Sequence, residues 1–196
     1  MGEKIKPGYG DILFIVDVQN DFLPGGSLAV PHGDEVVPVL NHYLKLFKDN
    51  QLPVYASRDW HPPDHCSFIS QGGQWPPHCI QNSSGAEFSE ALHLPSQTFV
   101  VSKASDQWQD AYSAFQSTGL VDKLKNAGVK RLFVGGLATD YCVLSTVNDA
   151  LKAGFQVYLL CDAIRAVNLQ FGDGDRAIHA MEQHGARLVQ LSEFIA

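Results

Sequence analysis

Six short runs rich in β-branched and aromatic residues punctuate the chain: ILFIV from residue 12, PVYAS from 53, TFVV from 98, RLFVGG from 131, QVYLL from 156 and ARLVQL from 186. Longer helical patterns separate most of them. Such alternation predicts an α/β protein whose strands form a parallel sheet through crossover helices. Between residues 140 and 153, Val143, Leu144, Val147 and Leu151 recur at three- and four-residue steps, which gives that stretch one apolar face. Gly154 stands where this helix would close.

The segment from Asp59 to Ser96 breaks the alternation: it is rich in Pro, Gly, His and Gln and has little periodicity. Its Trp, Phe and His content opposes disorder, so it is expected to be an ordered loop region built around a site. Neither a repeat nor a linker divides the 196 residues, and one domain spanning the chain is expected. The net charge of -7 and the lack of a Lys/Arg block argue against a nucleic-acid surface or a polybasic membrane contact. No apolar stretch approaches membrane-spanning length, and the polar start MGEKIKPGYG lacks a signal-peptide core, so an intracellular, cytoplasmic location is expected. Cys66, Cys79, Cys142 and Cys161 form no C-x-x-C pair, and free thiols are the expectation.

The polar residues gain meaning from where the strands end. Asp17 follows the first strand, Asp59 and His61 the second, Lys103 ends the third, and Cys142 follows the fourth. Ligands of open parallel sheets bind outside the carboxyl ends of the strands, so these sets are expected to meet in one crevice. Singly, each residue reads as well as a turn former, a surface lysine or a core cysteine; together they suit nucleophilic attack on an acyl carbon. A free thiol is mostly protonated at neutral pH and needs a cation, a helix N-terminus or a base. Lys103 and the start of the helix would supply the first two, and Asp17 would take the thiol proton and return it to a leaving amine. In GGLATDYC, Thr139 is a candidate N-cap, and the backbone N–H groups of Ala138 and Cys142 are candidate oxyanion donors.

A second group lies in RDWHPPDHCSF and WPPHC, where Asp59 and His61, with His65 and His78 folding back from the loop, could ligate a divalent transition metal. Loop histidines are more often solvated than ligating, and His65 is the weakest candidate, only four residues from His61. Trp60, Phe68, Trp75 and Tyr112 could line a pocket or pack in a core.

The motifs DVQNDFLPGGSLAV, DWHPPDHCSF, WPPHCIQNSSGAEF, VSKASD, AYSAF and GGLATDYCV, spread over residues 12 to about 167, resemble those of nicotinamidases in the isochorismatase-like cysteine hydrolase superfamily. The resemblance implies a six-stranded parallel sheet flanked by helices on both faces, a Rossmann-like three-layer sandwich. It also implies hydrolysis of nicotinamide to nicotinate and ammonia in NAD salvage, with pyrazinamide as an alternative substrate. Carried over by position, it makes Asp17, Lys103 and Cys142 a catalytic triad, and Leu137-Ala138 a cis peptide shaping the oxyanion hole. Asp59, His61 and His78 would be metal ligands, with zinc, or else iron or manganese, as the ion, and His65 stands where some members add a fourth ligand. Phe22, Leu28, Trp75, Tyr112, Leu137 and Tyr141 resemble the wall around the pyridine ring, and members often form homo-oligomers. Two other readings stay open at this stage: an amidase of the superfamily acting on N-carbamoyl or ureido substrates, against which the metal set argues, and a catalytically silent nicotinamide-binding homologue.

Overall fold

The computed structural model describes residues 4–195. Six strands form one sheet: β1 (Asp11–Val16), β2 (Val54–Asp59), β3 (Phe99–Lys103), β4 (Arg131–Leu137), β5 (Gln156–Arg165) and β6 (Arg187–Val189). They lie in the order β3-β2-β1-β4-β5-β6, and every neighbouring pair is parallel. The α-helices are α1 (Val36–Asp49), α2 (Leu120–Asn126), α3 (Leu144–Lys152) and α4 (Asp173–Gln183). This is the expected parallel α/β architecture, with the six strands where the apolar runs lie.

Strand β1 shows why the layers form. Ile12, Leu13, Phe14, Ile15 and Val16 are all wholly buried, each contributing about 1.5–3 kcal/mol by leaving water. Successive side chains of a strand point to opposite faces. Leu13 and Ile15 accordingly join the core made with Leu40, Tyr43 and Phe47 of α1. Ile12, Phe14 and Val16 join the other, with Leu124 of α2, Val147 of α3 and Met181 of α4. Helices therefore cover both faces. The winding reverses between β1 and β4, the neighbours at the centre of the sheet, so the crevice of an open α/β sheet opens beyond these two strand ends.

Three details differ from the sequence reading. The last strand is shorter than ARLVQL, because Gln190 and Glu193 form a reciprocal capping box that turns Leu191–Glu193 into a 3-10 turn. Strand β5 runs on to Arg165, past a bulge opposite Val134 and Gly136. The stretch after β4 starts as one π-helical turn, Thr139–Val143, and becomes α-helical only at Leu144. Thr139 makes no cap: the residue preceding the turn is Ala138, no side chain caps it, and Thr139 itself is buried. At the far end Gly154, at φ 91°, closes α3 as expected, its N–H donating to Leu151 O at 3.0 Å.

The loop region from 60 to 98 contains 3-10 turns at Ile69–Gln71 and Ser84–Ala86 and single bridges pairing His61 with Ile80 and Phe68 with Trp75. Phe68 and Cys79 are completely buried beneath it, and Asp21 accepts a hydrogen bond from Cys79 N–H at 2.7 Å. All four cysteines are free thiols. Among the described residues no helix is long and apolar enough to cross a membrane.

Candidate active site

The strand ends carry the site, and their backbones are unusual. Asp17, immediately after β1, has φ 48°, and Ala104, immediately after Lys103, has φ 50°. Cys79, next to His78, has φ 46°. Left-handed conformations of this kind cost about 1–3 kcal/mol each and persist where surrounding contacts enforce them. Gly136 in β4 has φ 122°, and a Cβ there would lie 2.1 Å from Val16 O. Only glycine allows β4 to approach β1 at the point where the chain turns toward Cys142. The peptide Leu137-Ala138 is cis, as the resemblance implied.

Lys103 is the hub. Its Nζ, wholly buried, forms an ion pair with Asp17 Oδ2 at 2.9 Å, donates to Asp59 Oδ1, and lies 3.4 Å from Cys142 Sγ. Ser57 Oγ–H donates to Asp17 Oδ1 at 2.7 Å. Asp17 Oδ2 makes the ion pair with Lys103 and no other polar contact, so it is placed to take the thiol proton. Burial is the largest influence on all four groups. It raises Asp17 above the usual carboxylate range, the Lys103 charge only partly offsetting it. It opposes ionisation of Asp59 as well, but there Lys103 and the His61 hydrogen bond prevail and hold the carboxyl low. Lys103 stays charged because two carboxylates outweigh its own desolvation. Burial pushes the Cys142 thiol well above its ordinary value; the Lys103 charge works against this and the charges of Asp17 and Asp59 add to it. Lys103 thus favours the thiolate, as expected from sequence, but burial opposes it more strongly. The ammonium is already shared by two carboxylates, and α3 proper starts two residues beyond the cysteine. Burial therefore favours the protonated thiol, and Asp17 is placed to take its proton.

Asp59 joins this cluster to a second one. Its Oδ2 faces His61 Nε2 at 3.7 Å and His78 Nε2 at 3.9 Å, and one ligand atom from each residue lies within 4.8 Å of the others. His61 Nδ1 bonds Ala104 O at 3.1 Å, and His78 Nδ1 bonds Pro76 O at 2.8 Å. A carbonyl only accepts, so each Nδ1 carries the proton and each Nε2 lone pair points at the common centre. Outer hydrogen bonds of this kind orient histidine ligands in metal sites. Burial holds His78 below its usual pKa, which keeps that lone pair free at neutral pH. The donors fit a divalent ion. Asp17, Asp59 and Cys142 are equally close together, but the Lys103 ammonium already supplies the positive charge among them.

His65 is not brought into the metal group. Its Nδ1 bonds Ser67 Oγ at 2.7 Å and its Nε2 faces Gln109 O at 3.3 Å. With both nitrogens engaged, its ring stacks on His61, centroids 4.2 Å apart, where it buttresses a candidate ligand.

Above these groups is a cleft of about 490 Å³, its open mouth included, within the usual size range for small-molecule sites. Phe22, Leu28, Trp75, Tyr112 and Tyr141 line it, as does Ala138. Leu137 does not. It is fully buried in the core shared with α1. Trp75 Nε1–H donates to Tyr112 OH at 2.9 Å, and the Trp75 and Tyr141 rings meet edge to face at 5.1 Å. Around the mouth of the turn, Ala138 O accepts from the N–H groups of Tyr141 and Val143 and skips that of Cys142.

Two supporting residues escaped the sequence reading. Gln19, wholly buried, donates to Asp59 O at 2.8 Å and accepts from Asp59 N–H at 2.7 Å, fixing that backbone from both sides. Ser57 anchors Asp17 from the neighbouring strand. Both lie inside motifs already singled out or one strand away, but nothing in their spacing marks them as partners.

Residues 11–193 match the model of the isochorismatase domain. The nicotinamidase of Escherichia coli (strain K12) is 41% identical, with 93% of this chain and 95% of that protein covered. Among solved structures, the pyrazinamidase of Pyrococcus horikoshii in complex with zinc superposes with a TM-score of 0.89 at 45% identity, covering 93% of this chain and 99% of that one. PnC1 from L. infantum in complex with nicotinate gives a TM-score of 0.87 at 39% identity, covering 95% of each chain. The chain belongs to the isochorismatase-domain family and, within it, to the nicotinamidase group.

Proposed function

We propose that this protein hydrolyses nicotinamide to nicotinate and ammonia through a thioester on Cys142. The observation that carries this reading is the single buried array in which Lys103 touches Asp17, Asp59 and Cys142 while Asp59 turns its other oxygen to His61 and His78. The nicotinamidase, pyrazinamidase and nicotinate-bound relatives support the substrate, and pyrazinamide, with the same amide on a similar ring, is a second one.

The amide carbon sits over Cys142. As Sγ attacks it, the S–H proton passes to Asp17 Oδ2 and the carbonyl π electrons move to oxygen, where the Ala138 and Cys142 N–H groups stabilise the developing charge. Asp17 then gives the proton to the amine, the C–N bond breaks, and ammonia leaves with a thioester behind it. A water replaces ammonia, loses a proton to Asp17 and attacks the thioester, and the C–S bond breaks with the proton returning to sulfur. Lys103 holds Asp17 and the sulfur in register, and its positive charge offsets the negative charge that builds during attack. The aromatic wall of Phe22, Trp75 and Tyr141 encloses the ring.

Asp59, His61 and His78 would hold one divalent metal ion, and zinc is the ion in the P. horikoshii relative. When bound, such an ion would supply a Lewis acid to a nitrogen donor of the substrate. We further place the enzyme in the cytoplasm and in the salvage of NAD, where nicotinamide is released and reused. The metal set favours this reading over an N-carbamoyl or ureido amidase.

The test is ammonia release from nicotinamide by the purified protein, with and without chelator. Release that chelation abolishes and added zinc restores is expected. Release from an N-carbamoyl amine with none from nicotinamide would overturn the assignment.

A further inference from the structure

The reaction turns a neutral amide into an anion inside a cleft whose lining contains two carboxylates, Asp59 and Asp110, and no lysine or arginine. Asp59 is buried and its charge is held by Lys103. Asp110 differs: it alone among the described lining residues is exposed, which places it at the rim. It makes no ion pair among the described residues. Its Oδ1 accepts from the adjacent Ala111 N–H at 2.9 Å, and Ala111 O lies 3.4 Å from Lys103 Nζ. The rim carboxylate thus stands beside a residue whose carbonyl reaches Lys103, and no ion pair among the described residues neutralises it.

We propose that Asp110 is a specificity-determining residue whose charge at the rim disfavours anionic ligands, speeding the exit of nicotinate and excluding ring amides that carry a further carboxylate. A neutral amide passes such a charge at little cost, whereas a carboxylate entering or held in the cleft meets like-charge repulsion. The effect is electrostatic, so it weakens as salt screens it. The proposal rests on the nicotinamide reading.

The experiment compares Asp110→Asn and Asp110→Glu with the wild-type metal-loaded enzyme. The KM for nicotinamide and the inhibition constant for nicotinate are measured at low and high ionic strength. Asparagine can still accept from Ala111 N–H, so the Asn variant removes charge and keeps the local hydrogen bond. The ratio of the nicotinate inhibition constant to the nicotinamide KM should fall roughly three- to tenfold in Asp110→Asn at low salt. It should stay near wild type in Asp110→Glu, and the Asn effect should shrink at high salt. A ratio that holds within about twofold in Asp110→Asn, or that falls equally in both variants, would overturn the proposal. If the wild type releases no ammonia from nicotinamide, the functional reading has failed instead. The charge effect is then read from nicotinate quenching of tryptophan fluorescence: tighter binding by Asp110→Asn alone supports it, and equal binding by all three proteins overturns it.

Discussion

Replacing Asp17 by Asn removes the proton acceptor while leaving the side chain's shape almost unchanged. Ser57 Oγ can still donate to the amide oxygen, over the 2.7 Å it now spans to Oδ1. Lys103 loses one of its two carboxylates and keeps the other, Asp59. The stability loss should therefore stay below the about 3–5 kcal/mol expected when a buried ion pair is fully broken. The rate loss is different in kind, because burial opposes ionisation of the thiol and the other nearby carboxylate, Asp59, is held low by Lys103 and is the poorer base. General acid–base catalysis contributes about 10²–10⁴-fold, which at 1.36 kcal/mol per decade adds about 2.7–5.4 kcal/mol to the barrier. The assay is kcat for ammonia release from nicotinamide, with urea unfolding as the control for folding. A folded Asp17→Asn protein whose kcat stays within about threefold of wild type would refute the assignment of Asp17 as the proton carrier.

Three further outcomes are expected. Gly136→Ala places a methyl group 2.1 Å from Val16 O at φ 122°, and overpacking plus backbone strain should cost about 2–6 kcal/mol, measured by urea unfolding. His78→Ala removes one of three donors, so metal affinity, measured by competition with a chelator, should fall by more than the roughly 10–100-fold typical of losing an outer hydrogen bond. On the acid side, kcat/KM requires Asp17 ionised, and its pKa in the folded protein is raised. The falling limb should thus sit above the ordinary carboxylate value of about 3.9, and a limb at or below that value would contradict the role. The same raised pKa means that Asp17 favours the fold at low pH and loses that contribution as pH rises through its folded value. Asp59, held low, has the opposite sign: its contribution is present above the unfolded pKa and fades as pH falls through its folded value.

Much of this arrangement was legible in the order of residues. Apolar runs marked six strands, and the chemistry-bearing residues stood at or just beyond the ends of four of them, where a parallel sheet gathers its strand ends. What stayed hidden depends on distance in space. Nothing in GGLATDYC announces a π-helical turn, since its glycines and threonine suit an ordinary capped helix equally well. Asp59 reads as a ligand through its spacing from His61, yet its second role, pairing with Lys103, arises from the β2–β3 register. His65 has a ligand's chemistry and a suggestive position, and only its bonds to Ser67 and Gln109 separate buttress from ligand. Leu137 belongs to a cleft-forming motif but points beneath the cleft. That burial opposes ionisation of Cys142 is likewise invisible in the sequence.

The central claim is a covalent thioester on Cys142, and rapid acid quenching of the metal-loaded enzyme during turnover of nicotinamide, followed by mass spectrometry of its peptides, tests it directly. The account predicts a nicotinoyl group on the peptide containing Cys142, absent in Cys142→Ala, which should retain the fold and lose ammonia release. An unmodified Cys142 peptide at every quench time, or a Cys142→Ala protein that turns over near the wild-type rate, would contradict it.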